Sequence, residues 1–329
     1  MRKASGAMFG LALGDALGKP TEFLRYAEIT ARFGPGGPAE PAGDPALVTD
    51  DTQMTLAVAD ALLAAAALDA ATLEPLWRKK FMDWAVSPEN NRAPGMTCMR
   101  AIGRLAEGQP WIAATEAGSK GCGANMRVAP VGLVPHVPDA DRAGMAQLQA
   151  ALTHGHPTAL AASDLTAFAV HWLRDGLAPV SLSAALRQRC ADQRSVYHVD
   201  WLGELWQRPG ETTPEEFIAR GWDECAAILD RLEAALVVPD RDADPCLATG
   251  EGWIAEEALA TGLLCFLLYA DDPVAALRRG AVTAGDSDSI ASLAGAFAGA
   301  AYGLAAWPSD WVSRIEYAAE LDRIGRAWD

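Results

Sequence analysis

Apolar residues recur at three- and four-residue steps along ten segments of the chain: 54–68, 72–85, 97–106, 140–151, 158–175, 180–192, 214–236, 254–269, 273–282 and 289–305. That spacing puts the apolar side chains on one face of a helix, whereas a half-buried strand would alternate every second residue. Strand-type alternation is nearly absent. Clusters of Pro, Gly and Asp at 34–45, 87–95, 135–139, 207–214 and 239–252 read as loops, and none is a long flexible linker. With 329 residues and 50% hydrophobic content there is ample material for one large core. The expectation is an all-α fold, a compact multi-helix single domain over residues 1–329.

Two segments carry a second constraint. Gly6, Gly10 and Gly14 recur every four residues, and so do Gly295, Gly299 and Gly303. A glycine inside a helix costs about 1 kcal/mol against alanine. Its repetition on one stripe therefore points to close approach of another backbone, and the two stripes are expected to face each other. An alanine- and glycine-rich composition would give the same pattern without that contact.

Charge narrows the partners. With 43 acidic and 27 basic residues the net charge is -16, which disfavours non-specific attraction to nucleic acid or an anionic membrane. No apolar run is long enough to span a bilayer. A small ligand fits better, and an anionic one must be held by local backbone N–H groups, an arginine or metal ions. Cys98, Cys122, Cys190, Cys225, Cys246 and Cys265 are scattered, with no zinc-type spacing. They read as reduced thiols of a cytoplasmic protein. Met1-Arg2-Lys3 is basic, but Asp15 interrupts the apolar run behind it, against a signal peptide. Nothing in the sequence sets an oligomeric state.

The chemistry concentrates in acidic loops. Thr49-Asp50-Asp51-Thr52 precedes one helical run, Asp286-Ser287-Asp288-Ser289 precedes another, and Glu22 lies in the loop 19–23. Taken singly, each is an ordinary helix cap or turn. Capping, however, needs one oxygen per helix end. Adjacent and alternating aspartates repel unless cations neutralise them, and oxygen donors without clustered Cys or His suit Mg²⁺ or Mn²⁺. The run 119–123 has the composition of a loop whose N–H groups face an anion, and equally of a tight turn. Arg127 either supports that loop or pairs with a surface carboxylate. His154-Gly155-His156 makes a poor zinc site and reads as the start of a helix. Trp201, Trp206, Trp222 and Trp253 read as packing aromatics.

Taken in order, these motifs resemble the ADP-ribosylglycohydrolase family. The resemblance rests on Gly10-x3-Gly14-Asp15-Ala16-Leu17-Gly18 with Glu22, Thr49 to Met54, Ser119 to Arg127, Thr153-His154, Gly252 to Leu259, and Gly285 to Ile290. It implies an all-α hydrolase holding two divalent cations, Mg²⁺ or Mn²⁺, with Thr49, Asp50, Asp51, Asp286, Asp288 and Ser289 as ligands. Ser119, Gly121, Cys122, Gly123 and His154 would bind substrate, with Cys122 acting through its backbone. Catalysis would fall to Glu22, Asp51 and Asp288, with Glu22 as general acid/base or as a ligand. The implied partner is ADP-ribose or an ADP-ribosylated substrate, and the implied reaction releases ADP-ribose. A catalytically inactive ADP-ribose-binding or structural protein of the same fold, or a metal-dependent phosphohydrolase of ADP-ribose, would share most of these residues. Two departures stand out. Ser287 and Ser289 replace the family's usual threonines, and the loop 91–97 lacks the aspartate that dinitrogenase reductase-activating members use in substrate handling, against arginine-linked substrates.

Overall fold

The computed structural model describes all 329 residues, in eighteen α-helices and three short 3-10 turns. All ten expected helical segments are helices, with ends shifted by a few residues. The helix expected from 54 starts at Asp50, because Thr49 is its N-cap: the Thr49 hydroxyl accepts from Asp51 N. The last long one stops at Tyr302, where Gly303 turns the chain at φ 77°. Only isolated β-bridges occur, and no sheet. One contiguous apolar core takes in buried residues from Ala4 to Trp328. No helix is long and apolar enough to cross a membrane.

The centre of the fold is a pair of helices. Lys3–Gly18 is buried from Ala4 through Gly18, so it has no polar face, as a helix enclosed on every side must. It lies along Ser287–Tyr302, and the glycine stripes form the contact. A Cβ at Gly6 would stand 2.5 Å from Gly299 O, one at Gly10 2.2 Å from Gly295 O, one at Gly14 2.2 Å from Ala291 O, and one at Gly18 2.5 Å from Asp288 Cα. The seam therefore extends one step past the glycines that announced it and ends on an acidic residue of interest. Asp329 closes the far end, accepting the first-turn N–H groups of Ala4 and Ser5 at 2.8 and 3.1 Å.

Helices Pro157–Arg174, Ala255–Leu268, Pro273–Ala281 and Ala318–Trp328 pack around this pair. The last of these, and Tyr26–Phe33, are not among the expected segments. Ala318–Trp328 nevertheless buries Leu321, Ile324, Gly325 and Trp328 on one stripe.

Candidate active site

Residues just past the Gly18–Asp288 end of the seam set the site. Ser287 Oγ and Thr21 Oγ1 lie 2.9 Å apart and both donate to Gly18 O. This ties the start of one acidic helix to the loop that carries Glu22. One oxygen each from Glu22, Asp286 and Asp288 lie within 4.8 Å of one another. Asp286 is held from behind, its N–H donated to Glu251 O at 2.7 Å.

The second acidic loop is held by Asp15, which is fully buried on the first helix. Its carboxylate accepts Thr49 N at 2.9 Å, Thr52 N at 3.1 Å and Thr52 Oγ1 at 2.5 Å. That leaves the Asp50 and Asp51 carboxylates to line the cleft. Asp50 Oδ2 accepts Gly95 N at 3.3 Å, and Asp51 Oδ2 is buried with no hydrogen-bond partner at all. An orphaned carboxylate oxygen in a protein interior is costly unless something fills its lone pairs.

These residues share one cleft of about 470 Å³, whose lining includes Glu22, Asp50, Asp51, Asp286, Asp288 and Ser289. Burial, followed by the charge of Asp288, raises the Glu22 carboxyl to about 9 and Asp50 to about 7, and pushes Asp51 and Asp286 well above the usual carboxylate range. Mutual repulsion of this kind is what bound cations relieve. The donors are all oxygens, which fits a hard divalent ion.

Gly121, Cys122, Gly123 and His154 line the same cleft. His154 is buried, its Nδ1 2.8 Å from Thr153 Oγ1. Burial and then Arg127 pull its imidazole down to about 3, so the ring is neutral. Arg127 finds no carboxylate. It donates to Gln149 Oε1 and to Thr153 Oγ1, at 2.9 and 2.8 Å, and thereby steadies the histidine behind the loop. A Cβ on Gly121 would meet His154 Nε2 at 3.3 Å, and one on Gly123 would meet Cys98 Sγ at 2.9 Å. The loop is thus pressed against its support. His156 caps the next helix by accepting Thr158 N.

Four residues sit differently from expectation. The N–H of Cys122 is already donated to Trp253 O at 3.0 Å, so Cys122 anchors the loop instead of offering that donor to an anion. Thr49 and Ser119 are outside the cleft lining: Thr49 Oγ1 serves as the cap, and Ser119 Oγ lies 3.1 Å from Thr97 Oγ1. Trp201 and Trp222 are core residues, but Trp253 is not. It is 39% exposed and stacks on Phe23 at the cleft, ring centroids 5.6 Å apart and planes inclined by 17°. Phe23 is 64% exposed with φ 65°. Its position beside Glu22 is the only hint that the sequence offers, since an exposed aromatic and a loop turn look alike there. Ala93, Pro94, Gly95, Met96 and Thr97 also line the cleft and bring no carboxylate to it.

The family model described as ADP-ribosylglycohydrolase matches residues 1–328. The chain belongs to the ADP-ribosylglycohydrolase family. Among its relatives is the ADP-ribosyl-[dinitrogen reductase] glycohydrolase of Rhodospirillum rubrum, 28% identical over 324 residues, covering 97% of this chain and 92% of that protein. ADP-ribosylhydrolase ARH3 of Homo sapiens is 26% identical over 355 residues, covering 98% and 91%. ADP-ribosylarginine hydrolase Tri1 of Pseudomonas putida (strain GB-1) is 26% identical over 335 residues, covering 98% and 77%. A solved structure, an ADP-ribosylglycohydrolase-related protein complex, shares the fold with TM-score 0.70 and 24% identity over 99% of this chain and 96% of that one. The enzyme class of this ADP-ribosylglycohydrolase family member is accordingly that of a glycosidic hydrolase.

Proposed function

We propose that this family member cleaves the glycosidic link between ADP-ribose and a modified acceptor, a protein side chain or small molecule, and requires two divalent cations, Mg²⁺ or Mn²⁺. The observation that carries the proposal is the convergence of Asp50, Asp51, Asp286, Asp288 and Glu22 in one cleft, with Asp51 Oδ2 unpartnered. Asp50, Asp51, Asp286, Asp288 and Ser289 hold the ions, with Thr49 acting through the helix cap it makes. Ions bound there neutralise the carboxylates and orient the ribose hydroxyls. Glu22 stands at the reacting sugar, where glycosidic cleavage needs a carboxyl to give or take a proton.

The diphosphate sits against Gly121 and Gly123, with neutral His154 behind them adding no charge of its own. The stacked pair Phe23–Trp253 walls the cleft beside Glu22 and limits water there. The loop 91–97 presents Ala93, Pro94, Met96 and Thr97 to the acceptor, which favours an uncharged linkage over a guanidinium. A cytoplasmic setting accords with six buried cysteines, all unpaired.

The test is a panel of differently linked ADP-ribosyl substrates incubated with the purified chain and Mg²⁺, Mn²⁺ or EDTA. Release of free ADP-ribose, abolished by EDTA and by Asp288→Ala, is expected. AMP plus ribose phosphate would assign a phosphohydrolase instead. ADP-ribose binding without turnover on any substrate would assign a binding module.

A further inference from the structure

In a chain of net charge -16, three arginines face one cleft away from the acidic site. Arg241, Arg278 and Arg279 line a cavity of about 560 Å³ together with Tyr26 and Tyr269. None of the three is in an ion pair, although twelve other arginines are, Arg314 and Arg323 among them. Their charges are instead held in place by neutral groups. Arg241 stacks its guanidinium over the Tyr269 ring at 5.0 Å and makes no side-chain hydrogen bond, so its N–H donors are uncommitted. Arg278 gives Nε and Nη2 to Ala39 O and keeps Nη1 free. Arg279 is 8% exposed, gives Nη1 to Arg241 O at 3.2 Å and Nη2 to Val282 O, and leaves Nε buried without a partner.

The tyrosines hold the frame: Tyr26 Oη donates to Asp242 O at 2.9 Å. Two carboxylates also line the cavity. One of them, Asp272, is occupied in capping Ala275 N at 3.0 Å.

The free N–H fork of Arg241, held by stacking, with the spare Nη1 of Arg278 and the charge of Arg279 fixed by carbonyl contacts before any ligand arrives, matches the oxygens of a phosphate. We propose that this cleft binds a phosphate-bearing small molecule, a diphosphate or larger, at a site separate from the catalytic cleft. Its walls run into two of the three acidic loops, since Tyr26 follows Glu22 by four residues and Val282 precedes Asp286 by four. The ligand is therefore placed to sense or bias the acidic site, and binding itself does not depend on turnover.

The test is calorimetric titration of the full chain with pyrophosphate, in EDTA and at constant ionic strength. Saturable binding is expected, weakened at least tenfold in Arg241→Gln/Arg278→Gln and unchanged in Glu22→Gln. Arg241 is exposed, so Arg241→Gln alone, which leaves the packing intact, serves as the second variant and weakens binding at least threefold. Absence of saturable binding in the wild type, or wild-type affinity in both arginine variants, would overturn the proposal.

Discussion

Adding one methyl group at each step of the glycine seam separates its structural role from its catalytic one. An alanine at Gly10 would put its Cβ 2.2 Å from Gly295 O, and one at Gly18 would put it 2.5 Å from Asp288 Cα. Ordinary carbon contacts need about 3.5 Å, so the helices must part by about 1 Å. Overpacking of this size costs roughly 1–3 kcal/mol, and the better helix propensity of alanine returns about 1 kcal/mol. Net losses of up to about 2 kcal/mol are expected for Gly6→Ala, Gly10→Ala and Gly18→Ala in denaturant unfolding. Gly103 is the control. It lies inside helix Met96–Ala106, where an added Cβ would have no atom within 4 Å, so Gly103→Ala should gain up to about 1 kcal/mol. Function should divide the series differently. Gly18 abuts the backbone of Asp288, whereas Gly6 meets Gly299 and Gly303 at the far end. A displacement of about 1 Å at a reacting centre can cost about 100-fold in rate. Release of ADP-ribose should therefore fall by about that factor in Gly18→Ala and little in Gly6→Ala, measured where both are folded. Seam variants as stable as Gly103→Ala would refute the packing argument. Equal activity losses in Gly6→Ala and Gly18→Ala would refute the positioning argument.

Two further outcomes follow from the electrostatics. The folded-state raising of Glu22 to about 9 and Asp50 to about 7 means their stabilising contribution is complete below about pH 4 and is lost as pH rises through those values in metal-free protein. A divalent ion reverses that loss, so Mg²⁺ or Mn²⁺ should raise the melting temperature by roughly 5 °C at a hundredfold excess over Kd near pH 8, and by much less near pH 5. A shift independent of pH in differential scanning fluorimetry would contradict the assignment. Asp15→Ala leaves Thr49 N, Thr52 N and Thr52 Oγ1 without their acceptor, and should cost at least about 2 kcal/mol and weaken ion binding although Asp15 lines no part of the cleft; unchanged ion affinity in a titration would show that Asp15 does not position the acidic loop.

How much of this could be read from the chain depends on the range of the interaction. Helical periods are local, and so all ten segments could be located. Their ends slipped because caps such as Thr49 and Gly303 outrank the apolar pattern. Ala318–Trp328 escaped notice although its stripe is regular, because only four of its residues reach the core. The acidic loops could be recognised as unusual, but their meeting is set by contacts such as Thr21 with Ser287, 266 residues apart. The Cys122 tie to Trp253 was invisible for the same reason, and so was the exposed stack of Phe23 on Trp253. A backbone N–H and a surface ring leave no mark on composition.

The seam and the acidic site are best understood as one device. Carboxylates that repel each other would splay on any pliable support. Here Asp288 opens the helix whose backbone is locked against Gly18, Asp15 on the same first helix grips the Thr49–Thr52 turn, and Thr21 holds the Glu22 loop to Ser287. All three acidic segments are thereby referred to a single buried helix. Close packing of that helix takes up the repulsion, because a core at crystalline density cannot relax by the ångström that separation would need. The glycines cost helix stability locally, and that cost offsets the larger one of letting the charges choose their own positions.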